Sequence, residues 1–185
     1  VAFKTEATEL KDITHLTFIT YNVWFDKHNF NARGRALFQI MESSNADFIC
    51  LQEVIDSFYK DLLYSKWAQK YYISGNRVDG YVTLILSKHP CNFFFQKWPS
   101  GMGRYLIYAE LKVNGKKTAI ATVHLESLGN PDFRKDQLNL SYKQLKDHEI
   151  VAIMGDFNFD NALENQNIAK DYADLWRELY PEDPG

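Results

Sequence analysis

The stretch YLIYAELKVNGKKTAIATVHLES, residues 105–127, carries the reading on which the fold turns. Two β-rich runs, Tyr105 to Val113 and Lys117 to Leu125, flank Asn114-Gly115. That dipeptide accepts the positive φ angles of a tight hairpin turn, so an antiparallel pair is expected. The second run ends in His124-Leu125-Glu126-Ser127, a polar finish that a buried strand does not need. Downstream, Leu138, Tyr142 and Leu145 repeat at helical spacing, and the apolar run Ile150 to Met154 ends at Gly155-Asp156-Phe157-Asn158. Upstream, Tyr81 to Leu86 reads as a strand, and Ala46 to Glu53 as another that ends in Gln52-Glu53. Leu16 to Asn22 is a further strand with a polar end, Tyr21-Asn22. Between these last two, Leu37, Phe38, Ile40 and Met41 fall on one face of a helix that Asn31 is placed to cap, and a final helix is expected over 173–179. Hairpins mixed with strand-helix alternation predict an α/β or α+β layered fold, with helices covering a mixed sheet or a pair of sheets.

Composition narrows the function classes. A chain of 185 residues, with 45% hydrophobic and 24% charged residues, is expected to fold as one domain without repeats or a linker. A net charge of −3 argues against coating nucleic acid by bulk positive charge, while leaving room for a local basic groove. No apolar run reaches the length of a membrane span, so no membrane partner is expected. Only two cysteines occur, Cys50 and Cys91, which suits small core residues in a reducing, intracellular compartment better than a disulfide scaffold.

If the polar strand ends meet at one edge, two acids, two amides and a histidine converge there, an inventory suited to metal-assisted hydrolysis. Mg²⁺ needs only one or two carboxylates plus a substrate phosphate because it keeps several waters, and Glu53 is the best candidate ligand. Mn²⁺ meets the same oxygen-rich preference. A second carboxylate set apart from the metal orients an attacking water, and an amide two residues along holds a phosphoryl oxygen; Asp156 and Asn158 have that spacing. Each residue alone also has a plain structural reading: Glu53 as an acid closing a strand, Asp156 to Asn158 as an Asx turn, His124 as a satisfied core histidine.

The series Tyr21-Asn22-Val23-Trp24-Phe25, Leu51-Gln52-Glu53-Val54, His124-Leu125-Glu126-Ser127 and Gly155-Asp156-Phe157-Asn158 resembles the endonuclease/exonuclease/phosphatase superfamily in order and spacing. Within it, the His-Leu-Glu-Ser motif looks most like the metal-dependent 5′-tyrosyl-DNA phosphodiesterase branch. Gly80-Tyr81, Ser100 to Arg104, Arg134 and Gln137 are further matches. The resemblance implies a four-layer αββα sandwich over 16–185, preceded by an N-terminal extension at 1–15. It also implies a Mg²⁺-dependent phosphodiesterase, monomeric, that repairs DNA 5′ ends carrying a tyrosyl adduct left by a trapped topoisomerase. By the same resemblance, Glu53 is the principal metal ligand with Asn22 beside it, Asp156 activates water, and Asn158 binds phosphate. His124 and Ser127 match positions that hydrogen-bond the scissile phosphate, and Tyr81 and Arg104 match a cation–π pair near the DNA end. Trp98 is a further candidate for stacking on bases, with packing of its loop as the equal alternative.

Two features depart from the pattern. The family's closing Tyr/Phe-Thr-x-Asp and Ser-Asp-His motifs do not occur in these 185 residues. The sandwich is therefore expected to lack its C-terminal strands, and the protein to continue beyond Gly185, because unpaired strand edges favour aggregation. After Asn158 stands Phe159-Asp160-Asn161, an acid where the vertebrate pattern has a cation. The alternatives are another phosphodiesterase or nuclease of the superfamily, and a catalytically weak DNA-end-binding fragment. A eukaryotic source would place the enzyme in the nucleus, the cytoplasm or both.

Overall fold

The computed structural model describes residues 9–75 and 78–183. Its strands and helices follow in the order β1 (Glu9–Leu10), β2 (Phe18–Asn22), α1 (Phe30–Ser44), β3 (Phe48–Ile55), α2 (Asp56–Tyr64), β4 (Tyr72–Ile73), β5 (Tyr81–Ser87), β6 (Asn92–Lys97), β7 (Tyr105–Val113), β8 (Lys116–His124), α3 (Pro131–Leu145), β9 (Ile150–Asp156) and α4 (Leu175–Leu179). Asn114 and Gly115, with φ of 50° and 81°, close the expected hairpin, and β7 pairs antiparallel with β8. One sheet runs β1-β7-β8-β9, with β6 also paired to β7; the other runs β2-β3-β5-β4. Within them, β8 and β9 are parallel, as are β2 and β3. Among the described residues, β9 and β2 each end a sheet with an open edge.

Side-chain alternation along the strands sorts the apolar residues into three packed layers. Ile49 and Leu51 of β3 meet Leu37 and Met41 of α1 and Phe58 and Leu62 of α2. Phe48 and Cys50 point the other way and pack on Ile107, Ala109, Leu111 and Ile120 of the second sheet. Ala119, Ala121 and Val123 of β8 face Leu138 and Leu145 of α3. The result is the αββα sandwich expected.

Several local expectations change. Helix α1 begins at Phe30, one residue ahead of Asn31, after Asn29 in a left-handed conformation, and no side chain caps it. Ile40 is exposed, while Leu37 and Met41 carry the buried face. Asp174 accepts hydrogen bonds from the Trp176 and Arg177 amides, so α4 starts at Leu175 instead of Ala173. Trp98 is buried with Leu106 and Leu125 and offers no face to a base. Of residues 1–15, the first eight lie outside the described residues; Glu9–Leu10 pairs in parallel with β7, and Leu10 and Ile13 pack between the sheets.

Gly155 explains one motif position by sterics. It sits in β9 at a φ of 139°, and a Cβ there would lie 2.0 Å from the carbonyl oxygen of Val123, its parallel neighbour. Only glycine admits this contact, which sets β9 beside β8 just before His124 and Asp156. Gly155→Ala is expected to cost about 1–3 kcal/mol or more through forced overpacking, read as a lower urea midpoint at an unchanged slope.

Candidate active site

Inward-facing positions turn from apolar to polar at the same end of both sheets. Along β8 the inward series runs from Ile120 through Thr122 to His124, and along β9 from Ala152 through Met154 to Asp156. In the opposite sheet Asn22 closes β2 and Gln52-Glu53 lie near the end of β3. Strict alternation would aim Glu53 at the helices, with Ile49 and Leu51. A bulge prevents this. The β3–β5 register shifts between Leu51 and Val54, and Glu53 takes a left-handed φ of 58°. Val54 returns to the helix side beside Leu51, and Glu53 faces Asn22 and His124 instead. The strand thus continues through Glu53, where the sequence suggested it ended.

The bulge brings Glu53, His124 and Asp156 together, with one ligand atom of each within 4.8 Å of the others. The Asn22 amide bridges the two acids, its Nδ2 donating to Glu53 Oε1 at 3.0 Å and to Asp156 Oδ2 at 2.8 Å. Its Oδ1 accepts from the Trp24 amide at 2.9 Å, so Asn22 presents hydrogen-bond donors to the acids. Ligation of a metal through Oδ1 would require this amide to turn over. Asn158 is reached through an Asx turn: its own N–H donates to Asp156 Oδ1, and its Nδ2 holds the carbonyl of Leu125. Asn158 therefore lies near Asp156 because the chain turns at a φ of 50°, beyond the end of the strand.

Arg104 determines the state of His124. Its guanidinium donates to His124 Nδ1 at 2.8 Å and to Ser127 Oγ at 2.9 Å. Arginine has no acceptor, so Nδ1 carries the lone pair and the neutral ring keeps its proton on Nε2. Nε2 points into the site, 3.8 Å from both Glu53 Oε1 and Asp156 Oδ2. Burial, then the Arg104 charge, push the His124 pKa down to about 4, against the opposing pull of Asp156 and Glu53. The same guanidinium lies 5.3 Å from the centroid of Tyr81. Arg104 and His124 are buried, whereas Tyr81, Glu53, Asp156 and Asn158 are partly open.

Other residues hold this group in place, and the sequence left their roles unassigned. Glu126 accepts from Ser100 Oγ, the Gly101 amide and Gln137, tying the 100–104 loop to α3. Fully buried Arg134 donates to the carbonyls of Glu126 and Leu128 and to Asp160 and Glu164. The acid at 160 is thereby an internal partner of Arg134. The signal available in sequence was Arg134 and Gln137 one turn apart, directly after the histidine motif.

The donor set fits a hard divalent cation. Glu53 and Asp156 offer carboxylate oxygens, while His124 turns an N–H toward them and no lone pair. In metal-free protein, a histidine held below its ordinary pKa of 6.5 binds fewer protons folded than unfolded between the two values. Its contribution to stability is complete above pH 6.5 and is lost as the pH falls toward about 4. The melting temperature of the wild type should drop across this window, and His124→Gln should flatten the decline.

The Endonuclease/Exonuclease/phosphatase family profile matches residues 19–176. The chain is 30% identical over 184 residues to tyrosyl-DNA phosphodiesterase 2 of Xenopus tropicalis, covering 92% of this chain and 48% of the relative. With the Homo sapiens protein of the same name it shares 28% over 186 residues, covering 94% and 51%. It therefore spans about half the length of these curated relatives. The crystal structure of D. rerio TDP2 complexed with a single-strand DNA product superposes with a TM-score of 0.79 at 27% identity, covering 91% of this chain and 71% of that one. A sandwich with this motif order, matched over most of its length, belongs to the Endonuclease/Exonuclease/phosphatase family.

Proposed function

We propose that this chain carries the catalytic centre of a metal-dependent phosphodiesterase that hydrolyses 5′-phosphotyrosyl-DNA bonds, the chemistry of repairing trapped topoisomerase adducts. The observation that supports it most is the convergence of Asn22, Glu53, His124 and Asp156 from four strands of two sheets. The relatives named for tyrosyl-DNA phosphodiesterase activity and the DNA-product complex of a similar protein support the substrate class.

Each residue has a task that its bonds allow. Glu53 would hold Mg²⁺, or Mn²⁺, with Asn22 beside it. The ion supplies charge for the phosphoryl oxygens in such a site. Asp156, braced by Asn22 and the Asn158 amide, is set to orient the attacking water. His124 donates Nε2–H toward a phosphoryl oxygen, and Arg104 keeps that tautomer in place. Ser127 accepts from Arg104 and so retains its hydroxyl proton for the same phosphate. Asn158 adds an amide donor. Phosphoryl transfer asks a protein mainly for such positioning and charge stabilisation. Cys50 and Cys91 are buried and neither is in a disulfide, which supports an intracellular setting.

The full-length protein should release tyrosine from a 5′-phosphotyrosyl oligonucleotide with Mg²⁺ and stop in excess EDTA. It should also prefer that substrate to an abasic duplex, poly-adenosine or a phosphoinositide. Glu53→Gln and Asp156→Asn should each lower turnover by about 10²-fold or more. Absence of release by folded, Mg²⁺-binding protein would overturn the assignment, and preference for another member of the panel would move it elsewhere in the family.

A further inference from the structure

Phe25 belongs to none of the roles above, yet it completes a column of π groups that starts inside the site. The Arg104 guanidinium, bonded to His124 and Ser127, lies over Tyr81. Tyr81 in turn stacks on Phe25, with centroids 5.2 Å apart and planes within 16°. Phe25 is 45% exposed, so the column ends at solvent. Its backbone amide donates to Glu53 Oε2 at 3.2 Å, which fixes the ring beside the proposed metal ligand.

The segment bearing it is held rigidly. Arg33 donates to the carbonyls of Val23, Trp24, Asp26 and His28, and its guanidinium covers the Trp24 ring at 4.7 Å. Trp24 takes a left-handed φ of 54°, a strained conformation for a bulky residue. An exposed aromatic pair on a strained, four-point-anchored loop next to a reaction centre is arranged to meet a ligand.

We propose that Phe25 is the outer layer of a stacking site for the nucleobase attached to the 5′-phosphate. A base offers a π face whatever its identity, so such a site binds DNA ends without strong sequence preference. The proposal rests on the DNA-end reading of the active site. Of the rings that a tyrosyl-DNA substrate brings, the base stays on the product after hydrolysis, and binding of product therefore isolates it from the leaving aryl group.

The test measures dissociation constants, by fluorescence anisotropy with Mg²⁺, for two 5′-phosphorylated single-stranded oligonucleotides. One carries thymine at the first position and the other an abasic residue. The wild type should bind the thymine oligonucleotide about 5- to 150-fold more tightly, the span of one base–aromatic stack. Phe25→Ala should abolish that difference while leaving the abasic oligonucleotide unaffected. Phe25→Leu, which keeps apolar cover over Tyr81 without a π face, should behave like Phe25→Ala, and Phe25→Tyr should restore wild-type binding. If Phe25→Ala weakens both oligonucleotides equally, leaves both unchanged, or slows only release of tyrosine, the stacking site is wrong while the DNA-end reading stands. If folded wild-type protein binds neither oligonucleotide, the DNA-end reading fails, and the stacking site with it.

Discussion

Two carboxylates, one from each sheet, are forced together at the open end of the sandwich. With reactive atoms within 4.8 Å, Glu53 and Asp156 repel by about 3 kcal/mol at an effective dielectric near 20. The protein offsets that cost with one amide group, since Asn22 donates to both acids at once. Asn22 and Glu53 belong to one sheet and Asp156 to the other, so the bond that relieves the repulsion also ties the sheets at this edge. One layer deeper Gln52 does the same, donating to Thr20 of its own sheet and to Thr122 of the other. Each of the four carboxylate oxygens accepts one hydrogen bond among the described residues, which leaves acceptor capacity for a shared cation.

Three arginines translate this centre outward. Arg104 sets the tautomer of His124 and reaches the Tyr81 ring. Arg134, with no exposed surface, gathers the 126–128 loop and the 160–164 segment. Arg33 gathers the carbonyls of the 23–28 loop. A guanidinium suits this work because it carries five donors in a fixed plane and stays charged, so one side chain satisfies several loop carbonyls that would otherwise lack partners.

Three of the eight left-handed non-glycine residues among those described lie where the chemistry is expected. Trp24, Glu53 and Asn158 all hold left-handed backbone angles, and each sits within or beside the polar cluster. Such conformations persist only when their surroundings over-determine them. Here the bulge in β3, the Arg33 anchor and the Asx turn at Asp156 supply that constraint.

Much of this was legible from residue order. The hairpin followed from Asn114-Gly115, because few other dipeptides adopt its turn, and the polar strand ends were visible because a buried strand has no use for His124 or Asp156. Glu53, His124 and Asp156 were therefore nameable as a set. Their geometry was not. Alternation by twos would have sent Glu53 to the helix side, and only pairing of β3 with β5 shows the bulge that turns it back. Trp98 read equally as a base platform or as packing, and the neighbours that bury it come from distant strands and α3. Asp160 read as a lost surface cation until Arg134, buried and in need of a counter-charge, claimed it. Local sequence determined which segments become strands, where they turn and which residue types end them, because those properties depend on near neighbours. Tertiary structure alone decided which face Glu53 presents, which nitrogen of His124 carries its proton, and that Phe25 caps a column reaching the site, because each depends on partners brought from far along the chain.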